Sequence, residues 1–295
     1  MEHVTEGFIP VKGGNVWFRI TGDGPGIPLL LLHGGPGGMS SEKDPLRELG
    51  SERPVIQYDQ LGCGKSGHPT DTDLWTVERY VEELEHVVEA LELEEFHLLG
   101  HSWGTMLAAS YLLDKQPKGV KSVIFSGPAL SAPRWEADQR SCLQEFPAEI
   151  QDIVEKSERQ GTTGTEEYKQ AMRAYYKKHM CRLNPWPKEM VEELDKLNTQ
   201  IYNFMWGASE FTVTGTLKDF DVTGRLSEIH VPTLFTCGRH DEATPEATEY
   251  YASLVSGAEF HVFENCSHMP GYEAPEIYRH KIREFINRQE YKSMV

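Results

Sequence analysis

Residues 100–104 read Gly-His-Ser-Trp-Gly and place one serine between two glycines. Glycines two residues away on either side let a serine occupy a sharp, strained turn between a strand and a helix, with its hydroxyl above the sheet. The pattern alone is common by chance, but here a short apolar run precedes the serine and a helical stretch of small residues follows it. We therefore predict that Ser102 is a nucleophile and not an ordinary loop serine.

A serine hydroxyl needs a base, and the base needs a group that orients it. In a sheet of this kind these partners follow later strands, in the order serine, acid, histidine. Asp241 follows the predicted strand 232–238, and His268 follows the predicted strand 259–264. Three other histidines fit less well as the base. His240 adjoins the predicted acid, His261 lies inside a predicted strand, and His280 lies inside the last predicted helix.

An acyl-transfer reaction also needs hydrogen-bond donors for the oxyanion that forms. Residues 33–38, His-Gly-Gly-Pro-Gly-Gly, follow the predicted strand 29–32, and glycines there let backbone N–H groups approach a substrate. The N–H of the residue after the nucleophile, Trp103, supplies the second donor in such turns. The alternative for residues 33–38 is a flexible turn, which their position after this strand disfavours.

Strands and helices alternate in the segments that would position these residues. A helical stripe begins near Asp73, with apolar residues every three to four positions and glutamates on the opposite face. We predict that the Asp73 side chain caps this helix. Apolar runs typical of strands occupy residues 16–20, 29–32, 54–59, 96–100, 120–126, 232–238 and 259–264. This rhythm predicts an α/β fold with a mostly parallel sheet and helices on both of its faces.

The middle of the chain, residues 128–215, is charged and aromatic, with helical patterns and no strong strand run. We predict one α/β domain, made of residues 1–127 and 216–295, with residues 128–215 inserted as a helical cap. Six aromatic residues of the insertion either line a pocket or form the insertion's own core, and their spacing does not separate these alternatives: Trp135, Tyr175, Tyr176, Trp186, Phe204 and Trp206.

The composition excludes several classes of partner. The chain of 295 residues carries 29 Lys and Arg against 46 Asp and Glu, a net charge of −17, which is the wrong sign for binding nucleic acid or an anionic membrane surface. No apolar stretch approaches a membrane span, and no secretory signal precedes the first strand. Five dispersed cysteines without a Cys-x-x-Cys pair argue against a disulfide framework, so we expect a cytoplasmic protein without a metal site.

Several motifs together resemble the α/β-hydrolase fold, and more narrowly the proline iminopeptidase family with its tricorn-interacting aminopeptidase branch. The resemblance covers nearly the whole chain. One departure is Thr105, where many members of the family have a glycine after Gly104. The motifs are residues 33–37, 58–66, 100–104, 210–216 and 238–242.

The resemblance implies that Ser102 is the nucleophile, Asp241 the acid and His268 the base. It also implies that the backbone N–H groups of Gly35 and Trp103 form the oxyanion hole.

The family holds the free α-amino group of its substrate with glutamates, which the resemblance matches to Glu210 and Glu242. Electrostatics supports this match, because an ammonium group that enters a desolvated pocket needs a paired carboxylate. For an isolated glutamate on so acidic a chain, the alternative is a solvated surface residue.

We therefore expect a serine aminopeptidase that releases the N-terminal residue, proline or another, from short peptides, without a metal or organic cofactor. An amino-acid amidase or small-molecule esterase with the same triad is the alternative, and a non-catalytic ligand-binding scaffold is a further one. The sequence leaves open the preferred N-terminal residue, the oligomeric state and any partner protease.

Overall fold

The core of the protein is one sheet of eight strands in the order β1-β2-β4-β3-β5-β6-β7-β8. In the computed structural model, which describes residues 3–294, β1 pairs antiparallel with β2 and β2 with β4, while the other neighbours are parallel. This is the mostly parallel α/β architecture that the sequence predicts. The strands are β1 (Val4–Val11), β2 (Gly14–Thr21), β3 (Leu29–Leu32), β4 (Val55–Tyr58), β5 (Phe96–His101), β6 (Val120–Ser126), β7 (Thr233–Gly238) and β8 (Glu259–Phe263).

Helices cover both faces of this sheet, so the central strands are buried on both sides. Every residue of β3, β4 and β7 is buried, which is why these strands appear in the sequence as continuous apolar runs without alternation. The α-helices are α1 (Val77–Ala90), α2 (Trp103–Lys115), α3 (Ala132–Leu143), α4 (Ala148–Gln160), α5 (Glu166–His179), α6 (Lys188–Asp195), α7 (Thr199–Met205), α8 (Pro245–Ser253), α9 (Pro270–Glu273) and α10 (Pro275–Met294).

Helix α1 begins four residues later than the sequence predicts. Asp73 lies in a short 3-10 helix, Thr72–Leu74, and the side chain of Thr76 caps α1 by accepting a hydrogen bond from the N–H of Arg79. The backbone of Trp75 leaves the helical region between the two, and the 3-10 turn therefore ends before α1 begins.

Five consecutive helices, α3 to α7, separate β6 from β7 in the chain, and we refer to them as the cap helices. A cluster of apolar side chains around Tyr175 and Phe211 packs between them. Ile201 and Met205 of α7 instead join the main core beneath the sheet's helices. The cap helices are therefore packed onto the sheet domain by shared apolar contacts.

No helix among residues 3–294 is long and apolar enough to cross a membrane.

The carboxyl ends of six parallel strands, β3 to β8, meet at one edge of the sheet. The register pairs Leu32 with Gly100, His101 with Ser126 and Gly238 with Phe263. The loops that follow these strands consequently converge above this edge, where ligands of open α/β sheets usually bind.

A buried ion pair secures one of the loops at this edge. Arg79 and Glu83, one turn apart on α1, form an ion pair with almost no exposed surface. The same Glu83 carboxylate accepts a hydrogen bond from the N–H of Leu61 at 3.1 Å, which ties the loop after β4 to the helix.

We predict that Glu83→Ala destabilises the protein by about 3–5 kcal/mol, because it leaves the Arg79 guanidinium buried without a counter-charge. Urea unfolding followed by circular dichroism measures the change. Glu82→Ala is the matched control, since it makes the same change at an exposed position of the same helix. Equal unfolding midpoints for the two variants would contradict the structural role of the pair.

Candidate functional site

Ser102 occupies a strained turn between β5 and α2. Its backbone has φ 52° and ψ −121°, a region that side-chain-bearing residues rarely adopt. The residue stands at the N-cap of α2, yet its side chain makes no capping hydrogen bond. The hydroxyl is thus available to the cavity above the sheet, which is the geometry the glycine pattern predicts.

The glycines on either side make this turn sterically feasible. A Cβ atom at Gly100 would lie 2.2 Å from the carbonyl oxygen of Gly104, and a Cβ at Gly104 would lie 2.3 Å from that of Leu32. Both distances are far shorter than any real contact, so only glycine fits at either position.

The side chain of Thr105, at the position where the sequence departs from the family it resembles, makes two hydrogen bonds. Its hydroxyl donates to the carbonyl oxygen of Ser102 at 2.6 Å and accepts from the N–H of Ala129 at 3.0 Å. The side chain therefore links the turn to the segment that follows β6.

The loop of residues 33–38 lies against Ser102. A Cβ at Gly34 would be 3.4 Å from the Cβ of Ser102, and Gly35 has φ 131°. The N–H of Trp103 belongs to the first turn of α2, where free N–H groups and the helix dipole favour negative charge. The two predicted oxyanion donors, Gly35 and Trp103, both line the cavity that contains Ser102.

Two side chains that the sequence analysis missed hold this loop in place. Nε2 of His33 accepts a hydrogen bond from the N–H of Gln60, so its proton is on Nδ1, which donates to the Gly34 carbonyl oxygen at 2.8 Å. The Gln60 side chain accepts from Nε1 of Trp103 at 2.8 Å. The signal was the Asp-Gln-x-Gly motif at residues 59–62, which the sequence analysis used for the resemblance without giving Gln60 a role.

Asp241 and His268 form a buried hydrogen-bonded pair. Oδ1 of Asp241 lies 2.7 Å from Nδ1 of His268, and the two residues are 2% and 4% exposed. Backbone N–H groups of Gly238 and Ala243 hold the Asp241 carboxylate at 3.1 and 2.7 Å. This arrangement fixes the His268 ring and directs Nε2 towards the cavity.

The charges around His268 change its protonation. Burial opposes a charged ring, but the neighbouring carboxylates of Asp241, Glu242 and Glu210 outweigh it and raise the pKa of His268 to about 9. The ring of His101 packs at 4.8 Å from that of His268. Burial and the nearby His268 lower the pKa of His101 to about 3, which leaves His101 neutral.

A cavity of about 550 Å³ opens above these residues. Its lining includes the backbone of the loop 33–38 and side chains from α2, the cap helices and the loop after β8. Four of the six insertion aromatics considered above line it: Trp135, Tyr176, Trp186 and Trp206. Tyr175 belongs to the core of the cap helices, and Phe204 packs edge-on against Trp75. Some of the insertion aromatics therefore line the cavity, while others pack away from it.

Glu210 faces the cavity from the segment after α7. Tyr202 donates its hydroxyl proton to Oε1 of Glu210, and Nε1 of Trp135 donates to Oε2 at 3.2 Å. Burial raises the pKa of Glu210, although both hydrogen bonds stabilise its charged form. Tyr202 is a third residue that the sequence analysis missed as part of the site, because neither its spacing nor its type marks it as a partner of Glu210.

Glu242 follows Asp241, the predicted acid, and its side chain is almost fully buried. Its Oε1 is 3.7 Å from Nε2 of His268, and its Oε2 is buried without a hydrogen-bond partner among residues 3–294. Burial raises the pKa of Glu242 to about 8. An orphaned buried carboxylate oxygen beside a cavity is an energetically costly feature that a cationic ligand would relieve.

The fold thus brings all seven predicted site residues to one edge of the sheet. Six line the cavity, and Asp241 lies directly behind His268. In the part of the chain that the structure describes, no three His, Cys, Asp or Glu side chains are grouped in a way that could hold a metal ion.

Comparison with known proteins agrees with this architecture. Residues 27–275 match the alpha/beta hydrolase fold family. The chain therefore belongs to the α/β hydrolases.

Relatives narrow the assignment. The chain is 52% identical to the proline iminopeptidase of Heyndrickxia coagulans over 96% of this chain and 99% of that one, and 35% identical to that of Clostridium botulinum over 97% and 99%. The crystal structure of the proline iminopeptidase of Mycobacterium smegmatis superposes with a TM-score of 0.91 at 31% identity, covering 98% and 100% of the two chains. The crystal structure of VinJ superposes with a TM-score of 0.90 at 34% identity, covering 97% of this chain and 99% of that one. Within the α/β hydrolases, the chain is a member of the proline iminopeptidase family.

We predict that the His268 ring of the free protein titrates at about pH 9 and that Asp241→Asn lowers this midpoint, because the carboxylate on Nδ1 stabilises the imidazolium form. Imidazole ¹⁵N chemical shifts followed against pH measure both midpoints. Asp114→Asn removes an exposed carboxylate far from the ring in sequence and serves as the control. A His268 midpoint below pH 7 in the unaltered protein would contradict the charge arrangement.

Proposed function

We propose that the protein is a serine aminopeptidase that releases the N-terminal residue of short peptides, with proline as the first candidate residue. Two findings support this function. The relatives that match the whole chain are proline iminopeptidases, and two buried carboxylates share one cavity with Ser102 and His268. The pair of carboxylates, Glu210 and Glu242, is the observation that carries the proposal, because a general esterase has no need of it.

In the proposed mechanism, Ser102 attacks the first peptide carbonyl while Nε2 of His268 accepts the hydroxyl proton. Asp241 keeps the ring in the required tautomer and stabilises the imidazolium that forms. The backbone N–H groups of Gly35 and Trp103 stabilise the oxyanion. His268 then donates its proton to the leaving amine, and water hydrolyses the acyl-enzyme by the same steps.

The substrate's ammonium group would bind between Glu210 and Glu242. Tyr202 and Trp135 support Glu210 in this role, because their hydrogen bonds fix its carboxylate at the cavity wall. A charge-assisted contact of this kind also sets the register of the peptide, so that the first carbonyl and no later one reaches Ser102.

We also propose that residues 128–215 function as a cap over the cavity. Trp135, Tyr202 and Glu210 all come from this segment, which argues that the cap supplies most of the surface that contacts the first residue of the peptide. The apolar lining from Trp135, Tyr176 and Trp206 suits a proline or another apolar side chain.

A comparison of an aminoacyl anilide with its N-acetylated form tests the function. We expect the free-amine substrate to be hydrolysed with a much higher kcat/KM, because the acetylated form leaves both carboxylates unpaired. Equal kcat/KM values for the two would refute amine recognition and favour an amidase or esterase.

Ser102→Ala tests the nucleophile. We predict a loss of at least about 10³-fold in kcat for every substrate, with the fold unchanged by circular dichroism. Full hydrolysis by this variant would show that the serine mechanism is wrong. No hydrolysis by the unaltered protein would instead favour the alternative of a non-catalytic ligand-binding scaffold.

Glu210→Gln tests the amine site. We expect kcat/KM for free-amine substrates to fall by about 10- to 100-fold, which corresponds to the loss of one charge-assisted hydrogen bond. The kcat/KM for N-blocked esters should change little. The control is Glu193→Gln, which makes the same change at another wall of the same cavity. The readout is the ratio of kcat/KM between free-amine and N-blocked substrates. A ratio that Glu210→Gln leaves unchanged would remove Glu210 from the site.

A further inference from the structure

One nitrogen atom has two partners that the proposed mechanism requires at different times. Nε2 of His268 has to accept the proton of Ser102, yet in the free protein a carboxylate oxygen of Glu242 lies 3.7 Å from it. That separation is an ion-pair distance. The raised pKa of His268 keeps the ring protonated at neutral pH, and a protonated Nε2 has no lone pair to offer the Ser102 hydroxyl.

Hydrogen bonds hold the backbone of Glu242 close to that of His268. The N–H groups of Glu242 and His268 both donate to a single carbonyl oxygen, that of His179 at the end of α5, at 3.3 and 3.1 Å. The Glu242 carbonyl oxygen in turn accepts from the side chain of Gln139 at 2.8 Å. The backbones of the two residues that carry the carboxylate and the imidazole are therefore attached to the same carbonyl oxygen of the cap helices.

Several titratable groups face this pair, and their charges decide which partner Nε2 takes. Asp241, on the far side of the ring, and Glu210, across the cavity, add negative charge, whereas the neighbouring His101 is neutral. Four other groups near Glu242 are neutral because burial raises their pKa values: Cys142, Tyr175, Tyr176 and Tyr202. Among the residues that the structure describes, the cation at the centre of this cluster is the imidazolium of His268.

We propose that Glu242 pairs with Nε2 of His268 in the free protein and that the ammonium group of an entering substrate displaces this pairing, so that the base becomes competent only when a free amine is bound. The inference rests on the proposed function, in which Glu242 binds the amine. The orphaned Oε2 of Glu242 provides the second point of attachment for that cation.

The exchange is balanced in charge and protons. The substrate brings one positive charge to Glu242 and Glu210, and the proton on Nε2 leaves through the cavity to solvent water. The direction of the His268 pKa agrees, because the ring binds a proton more tightly than an imidazole does in water. Burial and the charges of Glu210 and Asp241 raise the pKa of Glu242, whereas the His268 cation favours its charged form. A bound ammonium group would take over this stabilisation of Glu242 and lower the pKa of His268.

A serine-directed reagent without an amine group tests whether Nε2 of His268 is free, independently of peptide binding. Phenylmethanesulfonyl fluoride sulfonylates an active-site serine, and its second-order inactivation rate reports the fraction of protein with a free base. We expect Glu242→Gln to lower the pH midpoint of inactivation by at least about one unit, which makes inactivation about tenfold faster at pH 7. The matched control, Glu246→Gln, removes an exposed charge four residues further along and should leave the midpoint unchanged.

The unaltered protein provides a second measurement that needs no variant. We expect pyrrolidinium, a small cyclic ammonium ion, to accelerate inactivation at pH 7 by a similar factor, and to have no such effect on Glu242→Gln.

Each outcome is decisive. An unchanged midpoint in Glu242→Gln overturns the pairing. If pyrrolidinium competes with a free-amine substrate but slows inactivation or leaves it unchanged, the coupling is overturned while the proposed function stands. If pyrrolidinium does not compete at all, the amine site fails and this inference fails with it.

Discussion

The arrangement of the site depends on one constraint, the burial of three carboxylates around a single imidazole. Asp241, Glu242 and Glu210 all act on His268, whose ring is the cation that balances them among residues 3–294. A carboxylate removed from water without a partner is strongly unfavourable, so the cluster binds a proton or another cation. The raised pKa values of His268 and Glu242 express this demand in the free protein. A cationic substrate would satisfy it in another way, and selectivity for amines would then follow from the same electrostatics that hold the proton.

Such a cluster persists only if the backbone holds its members in place. The Asp241 carboxylate is fixed by two N–H groups of its own loop, and Glu242 and His268 share the His179 carbonyl oxygen. On the nucleophile's side, the close contact between Gly100 and Gly104 fixes the turn. The α/β sheet and the cap helices thus both contribute to the rigidity of the site, and separation of the two layers would disturb the base before it disturbed the nucleophile.

The meeting of Ser102, Asp241 and His268 at one sheet edge could be predicted because topology determines it. Residues that follow parallel strands must meet at one sheet edge, so the order of Ser102, Asp241 and His268 along the chain was informative. The partners of Glu210 could not be found in this way, since Tyr202 reaches it from a helix whose orientation depends on packing within the cap. Strand β1 was overlooked because Gly7 and Pro10 interrupt its alternation and its residues are mostly exposed. The start of α1 was misplaced because both Asp73 and Thr76 are good capping residues and only the backbone turn at Trp75 distinguishes them.

The coupling of amine and base bears on how an exopeptidase avoids other substrates. A site that recognises the amine only by binding discriminates through affinity, and an N-blocked compound at high concentration would still be hydrolysed. If the same carboxylate also keeps Nε2 of His268 protonated, an N-blocked compound meets an enzyme whose base is occupied, and kcat falls together with affinity. The two effects multiply because binding and proton transfer are successive steps. Discrimination in kcat cannot be overcome by concentration, and it requires no contact beyond the one that Glu242 already makes with His268.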